Sequence, residues 1–350
     1  MASDRVVVIG GGPTGLEAAA AAAELGTETV LVEQADFLGG APIAENYAAL
    51  TPRFESAEVA MGRLIDRVGR ADVEVRLSTE LTACDGEAGD FTLTLEGEGG
   101  GSLECGAVIV ATGFQHFDPG NETQMYGYYE HPDVLALQDL ESMLKDHNVV
   151  RPSNGEAPER VCFIQCVGSR DRQIGNEYCS KVCCGVASKE AIEVRQQLPD
   201  SKVFIFYIDM RMYGYWENEI YWPAQEQYHV QYIKGIVTEV LALGDKLLVR
   251  GEDTTMGRPM EVPMDLVVLS VGMEPSAGTR AMAGILGIEQ NKYGFINSVA
   301  APLDVVTTSR AGIFACGASI GPADLEDCSS SANAATVKAI TSMRSPVAAG

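Results

Sequence analysis

The chain has 350 residues, 46% of them hydrophobic and 21% charged, a balance typical of a globular protein long enough for two domains. Its 49 acidic residues outnumber 25 basic ones, and the net charge of −24 argues against binding nucleic acid or anionic membrane surfaces, whose phosphates would repel it. Neither a signal peptide nor an apolar run long enough to cross a bilayer is evident, so we expect a cytoplasmic protein without a transmembrane segment.

Strand and helix signals alternate along the first 113 residues. The helix is predicted at 13–26, with Pro13 near its start and Gly26 at its end. The predicted strands are rich in β-branched and apolar residues, and they are 5–10, 29–33, 73–77 and two pieces of 91–113. The glycines at 97–101 indicate a hairpin turn between those two pieces.

A second β-α-β pattern begins after residue 158, with a predicted strand at 161–166, a helix at 184–197 and a strand at 202–209. Further strands are predicted at 230–235, 246–253 and 265–272. A final strand and helix are predicted at 312–317 and 327–343. The order predicts an α/β protein with two dinucleotide-binding, Rossmann-like domains, the second inserted into the first. We assign 1–118 and 285–350 to the first domain, 119–158 to a connection and 159–284 to the second domain.

The turn after the first strand reads Gly10-Gly11-Gly12-Pro13-Thr14-Gly15, a G-x-G-x-x-G between a strand and a helix. In such a turn Gly10 permits the tight bend, Gly12 lets the backbone approach a pyrophosphate, and Gly15 lets the helix pack on the strand. Glu33 ends the next strand, where an acid accepts hydrogen bonds from an adenosine ribose; the alternative is an ordinary solvated acid.

Five of the nine cysteines fall between residues 162 and 184, where a second dinucleotide-binding unit would carry its glycine fingerprint. No G-x-G-x-x-G follows the strand at 161–166, and no redox C-x-x-C occurs there. Four thiolates suit a [4Fe–4S] cluster or a structural zinc ion. The spacing C-x12-C-x3-C-C lacks the C-x-x-C pairs usual at zinc, and adjacent cysteines fit a wide cluster better than one small ion. Zinc and a purely structural role remain the alternatives.

Three segments resemble the flavoproteins with two dinucleotide-binding domains, the thioredoxin-reductase-like group: LGGAP at 38–42, ATG at 111–113 and GIFACGA at 312–318. The resemblance implies FAD in the first domain. The residues that it implies for FAD binding are Gly10, Gly12, Pro13, Thr14, Gly15, Glu33, Gln34, Gly39, Gly40, Ala41, Leu81, Thr112, Gly113, Gly317 and Ala318. That group usually has Gly-Asp where this chain has Gly317-Ala318.

The segments FIQCVGSRD, YCSKVCC, ATGFQHFDP, DLVVLSVGMEPS and GPADL resemble the A subunit of heterodisulfide reductases. The resemblance implies that one [4Fe–4S] cluster is ligated by Cys166, Cys179, Cys183 and Cys184. It places Lys189 near the reactive nitrogen of the flavin, against the alternative of a solvated helix lysine. It also implies a homodimer that exchanges electrons with other subunits of a complex.

The chain lacks the ferredoxin-like C-x2-C-x2-C domains of the methanogen members of this family. It therefore resembles the compact form found in the heterodisulfide-reductase-like complexes of sulfur-oxidising bacteria. The expected function is an electron-transfer oxidoreductase subunit with FAD and a [4Fe–4S] cluster, working in dissimilatory sulfur oxidation. The alternatives are a stand-alone NAD(P)H-dependent disulfide oxidoreductase with FAD, and a non-redox scaffold that holds FAD and zinc.

Overall fold

The structure, a computed structural model, describes residues 4–344. Its strands, in chain order, are β1 (Arg5–Ile9), β2 (Glu28–Val32), β3 (Ala49–Leu50), β4 (Glu55–Ser56), β5 (Glu74–Arg76), β6 (Thr79–Glu87), β7 (Asp90–Gly97), β8 (Gly101–Cys105), β9 (Ala107–Val110), β10 (Phe114–His116), β11 (Val134–Ala136), β12 (Arg160–Val167), β13 (Lys202–Tyr207), β14 (Gln231–Leu243), β15 (Lys246–Asp253), β16 (Arg258–Met264), β17 (Leu266–Val271), β18 (Met273–Pro275) and β19 (Ile313–Ala315).

The α-helices are α1 (Pro13–Glu24), α2 (Ala41–Ala44), α3 (Ala57–Arg70), α4 (Leu137–Lys145), α5 (Cys183–Gln197), α6 (Trp222–Glu226), α7 (Ala277–Leu286) and α8 (Leu325–Arg344). Short 3-10 turns occur at Pro119–Asn121 and Gly317–Ser319, and a π-helical turn occurs at Glu217–Tyr221. Within the described part of the chain, none of these helices combines the length and the apolar character that crossing a bilayer requires.

The chain forms two compact units. The first unit contains the chain up to Ala44, then Val59–Gln115, and the chain from Glu274 onward. The second unit contains Glu45–Glu58 and His116–Met273. Each unit has its own parallel sheet with helices, as the predicted α/β fold class requires.

The first unit is built on a five-stranded parallel sheet with the order β19-β9-β1-β2-β5. The run of valines in β1 is buried on both faces, as expected for a central parallel strand. Val6 and Val8 pack with the alanine-rich faces of α1 and α8. Val7 and Ile9 pack on the other face, against the three-stranded antiparallel sheet β6-β7-β8. The predicted glycine hairpin joins β7 to β8, whose residues Phe91 and Cys105 pair.

The second unit is built on a seven-stranded sheet with the order β11-β17-β12-β13-β14-β15-β16. Its first five strands are parallel, and β15 and β16 extend it as an antiparallel hairpin. Strand β14 makes this change possible because its first residues pair with β13 and its later residues with β15. Helices α4 and α5 cover one face, where Phe163 packs with Ala187 and Leu140.

The segment 119–158, expected to be a partly irregular connection, contains β11 and α4 and lies in the second unit. Strand β11 has three residues, too few for a periodicity signal. Helix α4 has nine residues, and its start is stabilised by the Asp139 carboxylate, which accepts a hydrogen bond from the Ala136 amide at 2.8 Å. Residues 274–284, predicted in the second domain, lie in the first unit with α7.

A buried ion pair fixes the start of β11 within the second unit. Arg151 and Asp133 are each 7% exposed and lie 3.0 Å apart. The Asp133 carboxylate also accepts hydrogen bonds from the amide and hydroxyl of Ser153, at 2.9 and 2.7 Å. These donors offset the cost of burying the charge, so removing either partner leaves an uncompensated ion.

We therefore expect Asp133→Ala to lower the free energy of unfolding by about 3–5 kcal/mol, because the Arg151 guanidinium loses its buried counterion. The control is Arg53→Ala, whose guanidinium is 78% exposed and lies 3.9 Å from Glu219; its loss should cost less than about 1 kcal/mol. Urea denaturation of both variants measures the difference, and equal losses would contradict the assignment.

Candidate functional site

The glycine turn of the first unit forms a tight junction between β1 and α1. Gly10 has φ of +109°, and a Cβ there would lie 2.5 Å from the Ala111 carbonyl oxygen. A Cβ at Gly15 would lie 1.7 Å from the Gly10 carbonyl oxygen. At Gly12 only Gly40 lies within 4 Å of such a Cβ. Packing therefore requires glycine at 10 and 15, whereas Gly12 leaves open space beside the start of α1.

The start of α1 has no side-chain cap, and Pro13 stands in its first turn. Its first amide groups are therefore available to an anion, as in dinucleotide-binding turns. Thr14 is buried beside Gly317, where a Cβ would lie 2.3 Å from the Thr14 hydroxyl oxygen. Gly317 (φ +67°) donates its amide to Ser331 of α8 at 2.9 Å, and Ala318 is buried next to it.

Glu33 is tied to the glycine turn. Its carboxylate accepts hydrogen bonds from the amides of Gly11 at 2.5 Å and Ala35 at 2.8 Å. Glu33 is therefore fixed at the end of β2 rather than free in solvent as the alternative assumed. Ribose binding by Glu33 stays a prediction, as does a role for the neighbouring exposed Gln34.

The glycine pair before α2 closes one edge of the cradle. Gly39 donates its amide to the Gly11 carbonyl at 2.9 Å, and a Cβ at Gly40 would lie 2.7 Å from Gly12 Cα. Ala41 begins α2 directly after this pair. Leu81 lies elsewhere, on β6 in the core and 3% exposed, so only its backbone is available to a cofactor.

Thr112 and Gly113 are fixed by two residues that the sequence analysis did not identify. The Thr112 hydroxyl lies 2.8 Å from the Thr279 hydroxyl, and its carbonyl accepts from Ser276 at 2.8 Å. The Gly113 carbonyl accepts from Thr279 at 2.9 Å. Ser276 also caps α7, because its hydroxyl accepts a hydrogen bond from the Thr279 amide. A serine directly before a helical run is a sequence signal for such a cap, and it could have identified Ser276.

In the second unit, the four predicted cluster ligands line one small cavity: Cys166, Cys179, Cys183 and Cys184. Cys166 ends the predicted strand at a left-handed φ of +67°, and Cys183 and Cys184 begin α5. Residues 168–182 form the long loop between them, which brings Cys179 to the same cavity. The tertiary structure thus joins all four residues that the sequence analysis grouped.

Two of these sulfurs, those of Cys166 and Cys179, have hydrogen-bond donors beside them. Arg170 Nη1 lies 3.8 Å from Cys166 Sγ, and the Lys181 amide donates to Cys179 Sγ at 3.3 Å. Asp209 holds the Arg170 guanidinium at 2.7 and 3.2 Å. Donors that point at sulfur ligands stabilise thiolates and tune the potentials of iron–sulfur centres. The sequence analysis missed Arg170 and Asp209, which lie 39 residues apart.

Burial raises the pKa of three of these thiols, to about 11 for Cys184. The raised pKa values mean that Cys166, Cys183 and Cys184 are neutral thiols when no metal compensates their charge. The Cys183 thiol donates to the Val271 carbonyl at 3.6 Å. No group of three or more His, Cys, Asp or Glu side chains in residues 4–344 is placed to hold a single metal ion.

The other cysteines lie apart from this cavity. Cys162, Cys105, Cys316 and Cys328 are buried and Cys84 is half-buried. Burial raises the pKa of Cys105 to about 12 and that of Cys316 above its usual range. Buried thiols of this kind behave as small apolar side chains.

Lys189 of α5 is buried, with its side chain 1% exposed. Its ammonium donates to Glu141 Oε1 at 2.5 Å and to the Ala49 carbonyl at 2.9 Å, and lies 3.0 Å from Glu193 Oε2. The alternative of a solvated helix lysine is therefore wrong, because three acceptors within the second unit surround the charge. Proximity to a flavin stays a prediction.

The chain is similar in sequence to one known protein family and to A subunits of heterodisulfide reductases. Residues 3–153 match the family described as pyridine nucleotide-disulphide oxidoreductase. The chain is 38% identical over 247 residues to the A subunit of the H(2):CoB-CoM heterodisulfide,ferredoxin reductase of Methanothermobacter thermautotrophicus (strain Delta H), covering 69% of this chain and 37% of that one. It is 29% identical over 429 aligned positions to the second iron-sulfur A subunit of the CoB--CoM heterodisulfide reductase of Methanopyrus kandleri, covering 97% of this chain and 64% of that one.

The solved structures that resemble the chain share its fold. Thioredoxin reductase of T. acidophilum superposes with a TM-score of 0.66 at 18% identity, over 98% of this chain and 100% of that one. Thioredoxin reductase of Lactococcus lactis superposes with a TM-score of 0.64 at 18% identity, over 98% of this chain and 99% of that one. The predicted thioredoxin-reductase-like fold is confirmed. The chain spans 37% and 64% of the length of the two relatives above.

The contacts of the glycine turn predict the effect of Gly15→Ala. Its Cβ would meet backbone 1.7 Å away, so α1 must shift from β1, and we expect a loss of about 3 kcal/mol or more in unfolding free energy, with loss of flavin binding. The matched control is Gly62→Ala in α3, where nothing lies within 4 Å. That variant should be stabilised by up to about 1 kcal/mol. Thermal unfolding and flavin content measure both.

Proposed function

We propose that this chain, an oxidoreductase of the kind found as the A subunit of heterodisulfide reductases, binds FAD in its first unit and one [4Fe–4S] cluster in its second unit. In this proposal the chain transfers electrons as one component of a larger complex. The observation that carries it is the cavity after β12, where four cysteines occupy the position of a second nucleotide fingerprint. The same edge of a parallel sheet is where ligands bind in folds of this class.

The first unit supports FAD by its shape. The backbone is tight at Gly10 and Gly15, open at Gly12, and the uncapped start of α1 faces that opening. Such a turn holds the pyrophosphate of a dinucleotide by its amides. The FAD ligands predicted from the sequence remain our proposal for this site, with Leu81 contributing only backbone. Ser276 and Thr279 join them as residues that position Thr112 and Gly113.

The second unit supports a cluster by its donor set. Cys166, Cys179, Cys183 and Cys184 would hold it, with Arg170 and the Lys181 amide next to two of the sulfurs. Bound FAD would supply two-electron chemistry and a bound cluster one-electron chemistry. The residues of this chain would hold the two groups and set their potentials.

Two alternatives are less well supported. Sulfurs around one zinc ion lie about 3.8 Å apart, given a Zn–S distance of about 2.3 Å. The described residues include no group of three or more His, Cys, Asp or Glu side chains placed around one such ion. For NAD(P)H, the loop after β12 lacks the glycine fingerprint, and the pyridine nucleotide family match ends at residue 153.

Lys189 is proposed as the cation of the flavin site. Its ammonium is held by Glu141, Glu193 and the carbonyl of Ala49, so it has a fixed position rather than a mobile one. A fixed buried cation can stabilise negative charge on a reduced cofactor.

The wider context follows from the relatives. Their names place them in heterodisulfide reductases, and this chain spans only part of their length. We propose for this chain a homodimer in a heterodisulfide-reductase-like complex of the cytoplasm that serves dissimilatory sulfur oxidation.

The test is a metal and flavin assay of protein purified without oxygen. The proposal requires one FAD, about four irons and about four sulfides per chain. Zinc in place of iron would support the scaffold alternative, and rapid bleaching of the flavin by NADH would support the stand-alone reductase. Flavin without iron, after reconstitution, would contradict the cluster assignment.

Cys183→Ala should remove the cluster and leave FAD bound, because the two sites are built by different residues. Iron analysis and flavin absorbance measure this. Cys84→Ala, which removes a half-buried thiol of the first unit, is the control and should keep both groups. Loss of FAD together with iron in Cys183→Ala would show that the sites are not separable.

Arg170→Gln should lower the reduction potential of the cluster, because a cation near a sulfur ligand stabilises the more negative reduced state. Arg170→Lys should recover part of the difference. Arg172→Gln, which alters a side chain 90% exposed in the same loop, is the control and should leave the potential unchanged. Potentiometric titration followed by electron paramagnetic resonance measures all three, and equal potentials in all would refute this role of Arg170.

A further inference from the structure

Several side chains of the second unit have buried polar atoms without a hydrogen-bond partner among residues 4–344, and three of them belong to buried residues of α5 and the strands that it covers. They are Gln165, Ser270 and Glu190, exposed by 6%, 0% and 0%. The unpartnered atoms are both amide atoms of Gln165, the Ser270 hydroxyl and both carboxylate oxygens of Glu190. Such groups are costly in an apolar interior unless water or a ligand satisfies them.

Two of these side chains are on strands of the sheet, and Glu190 is on helix α5. Gln165 follows Phe163 by two residues on β12, and Ser270 follows Val268 by two residues on β17. Phe163 and Val268 pack with Ala187 and Val194 of α5. Because strand side chains alternate and helix positions 187, 190 and 194 share a face, Ser270 and Glu190 lie on the sides of β17 and α5 that face each other. Gln165 lies next to them in sequence register, at the start of the irregular pairing between β12 and β17.

The charges around Glu190 leave it no cation. Lys189 is the nearest ammonium, and it is already taken by Glu141, Glu193 and the Ala49 carbonyl. Three carboxylates thus share one buried positive charge, so not all of them can ionise. Burial raises the pKa of Glu190 well above its usual value, and the charge and close approach of the Glu141 carboxyl and the charge of Glu193 raise it further, while Lys189 lowers it.

A chain of titratable groups leads from this cluster toward solvent. The Tyr47 hydroxyl lies 3.0 Å from Glu45 Oε2 and 2.9 Å from His116 Nε2. His116 lies 2.7 Å from Glu45, which is 32% exposed. The carboxylates of Glu141 and Glu190 are near enough to help raise the pKa of Tyr47.

The backbone next to Tyr47 is fixed on the same cluster. The Ala48 amide donates to Glu141 Oε2 at 2.9 Å. Burial also raises the pKa of Glu193, although its contact with Lys189 partly opposes that rise. The groups that face Glu190 are therefore Glu141 from α4, Lys189 and Glu193 from α5, and Tyr47 from the segment before β3.

We propose that Glu190 is a buried proton-holding site, protonated at neutral pH in a hydrated polar pocket with Gln165 and Ser270, and that it exchanges its proton with solvent through Tyr47 and His116. Water bridges the unpartnered atoms of the three side chains. In one exchange the O–H bond of Glu190 breaks and the proton leaves by Tyr47 to His116 or Glu45. The carboxylate that remains is reprotonated by the reverse path, and no electrons are transferred.

Infrared spectroscopy of the full-length protein tests the protonation state. At pH 7 the wild type should show a carboxylic acid C=O band that shifts in D2O and is lost in Glu190→Gln. Glu193→Gln should retain that band, because it removes a carboxylate paired with Lys189 on the same helix. If no such band is lost in Glu190→Gln, the proposal is wrong. Should that variant not fold, pH titration of wild-type protein with 13C-labelled glutamate decides whether any buried glutamic acid persists at pH 7.

The pH dependence of stability is a second, independent readout. An acid whose pKa is raised on folding binds more protons in the native state, so its contribution to stability falls as pH rises above about 4.3. Glu190→Gln removes this penalty. The urea midpoint of the variant minus that of the wild type should therefore increase between about pH 5 and pH 8. A difference that stays constant over this range would overturn the raised pKa.

The path is tested by Tyr47→Phe, which should slow hydrogen–deuterium exchange of the Glu190 band several-fold without removing the band. Tyr128→Phe is the matched control, since the Tyr128 hydroxyl also binds a carboxylate, that of Asp139 at 2.9 Å. Equal exchange in the two variants would exclude the path through Tyr47.

A last measurement rests on the proposed function. The potential of bound FAD should depend less on pH in Glu190→Gln than in the wild type. The infrared and urea experiments need no FAD. If they succeed while no flavin binds, the proton site stands and the proposed function fails.

Discussion

The loop that follows the first parallel strand of each unit sets what that unit can bind. A parallel strand must be followed by a crossover, and the start of the next helix then lies at the carboxyl edge of the sheet. In the first unit three glycines make this turn, and the Gly10 carbonyl lies where a side chain at Gly15 would be. In the second unit a longer loop, 168–182, makes the same connection and brings cysteines to the edge. The different ligands that we propose for the two units rest on this difference in their loops.

Charge is the second organising constraint of the second unit. A protein with a net charge of −24 nevertheless surrounds its cysteine cavity with Arg170, Lys181 and Arg211. Asp209 holds the Arg170 guanidinium in place, so the cation has a defined distance to Cys166. Further along α5, carboxylates exceed ammonium groups three to one around Lys189. In our proposals, the helix that begins with Cys183 and Cys184 at the cluster also carries the proton-holding Glu190 at its middle.

Much of the fold follows from local sequence patterns. The valine runs of β1 and β17 predict buried parallel strands because only a central strand is apolar on both faces. The turn at Gly10 and the four cysteines were equally evident, since their chemistry depends on residue type and spacing. Short elements such as β11 gave no signal because three residues show no periodicity. Helix α4 lies in a stretch rich in Tyr, His and Asp, and its existence depends on packing against α5.

The sequence by itself determined the two-unit α/β plan, the glycine cradle of the first unit and the group of four cysteines of the second, because each depends on residue types at short sequence spacing. Only the tertiary structure decided which groups act on them. Arg170 forms an ion pair with Asp209, 39 residues away, and Lys189 forms one with Glu141, 48 residues away. Thr112 forms hydrogen bonds with Ser276 and Thr279, more than 160 residues away. Burial without a partner, as at Glu190, is likewise a property of the packed interior, because it depends on every surrounding element and not on any local pattern.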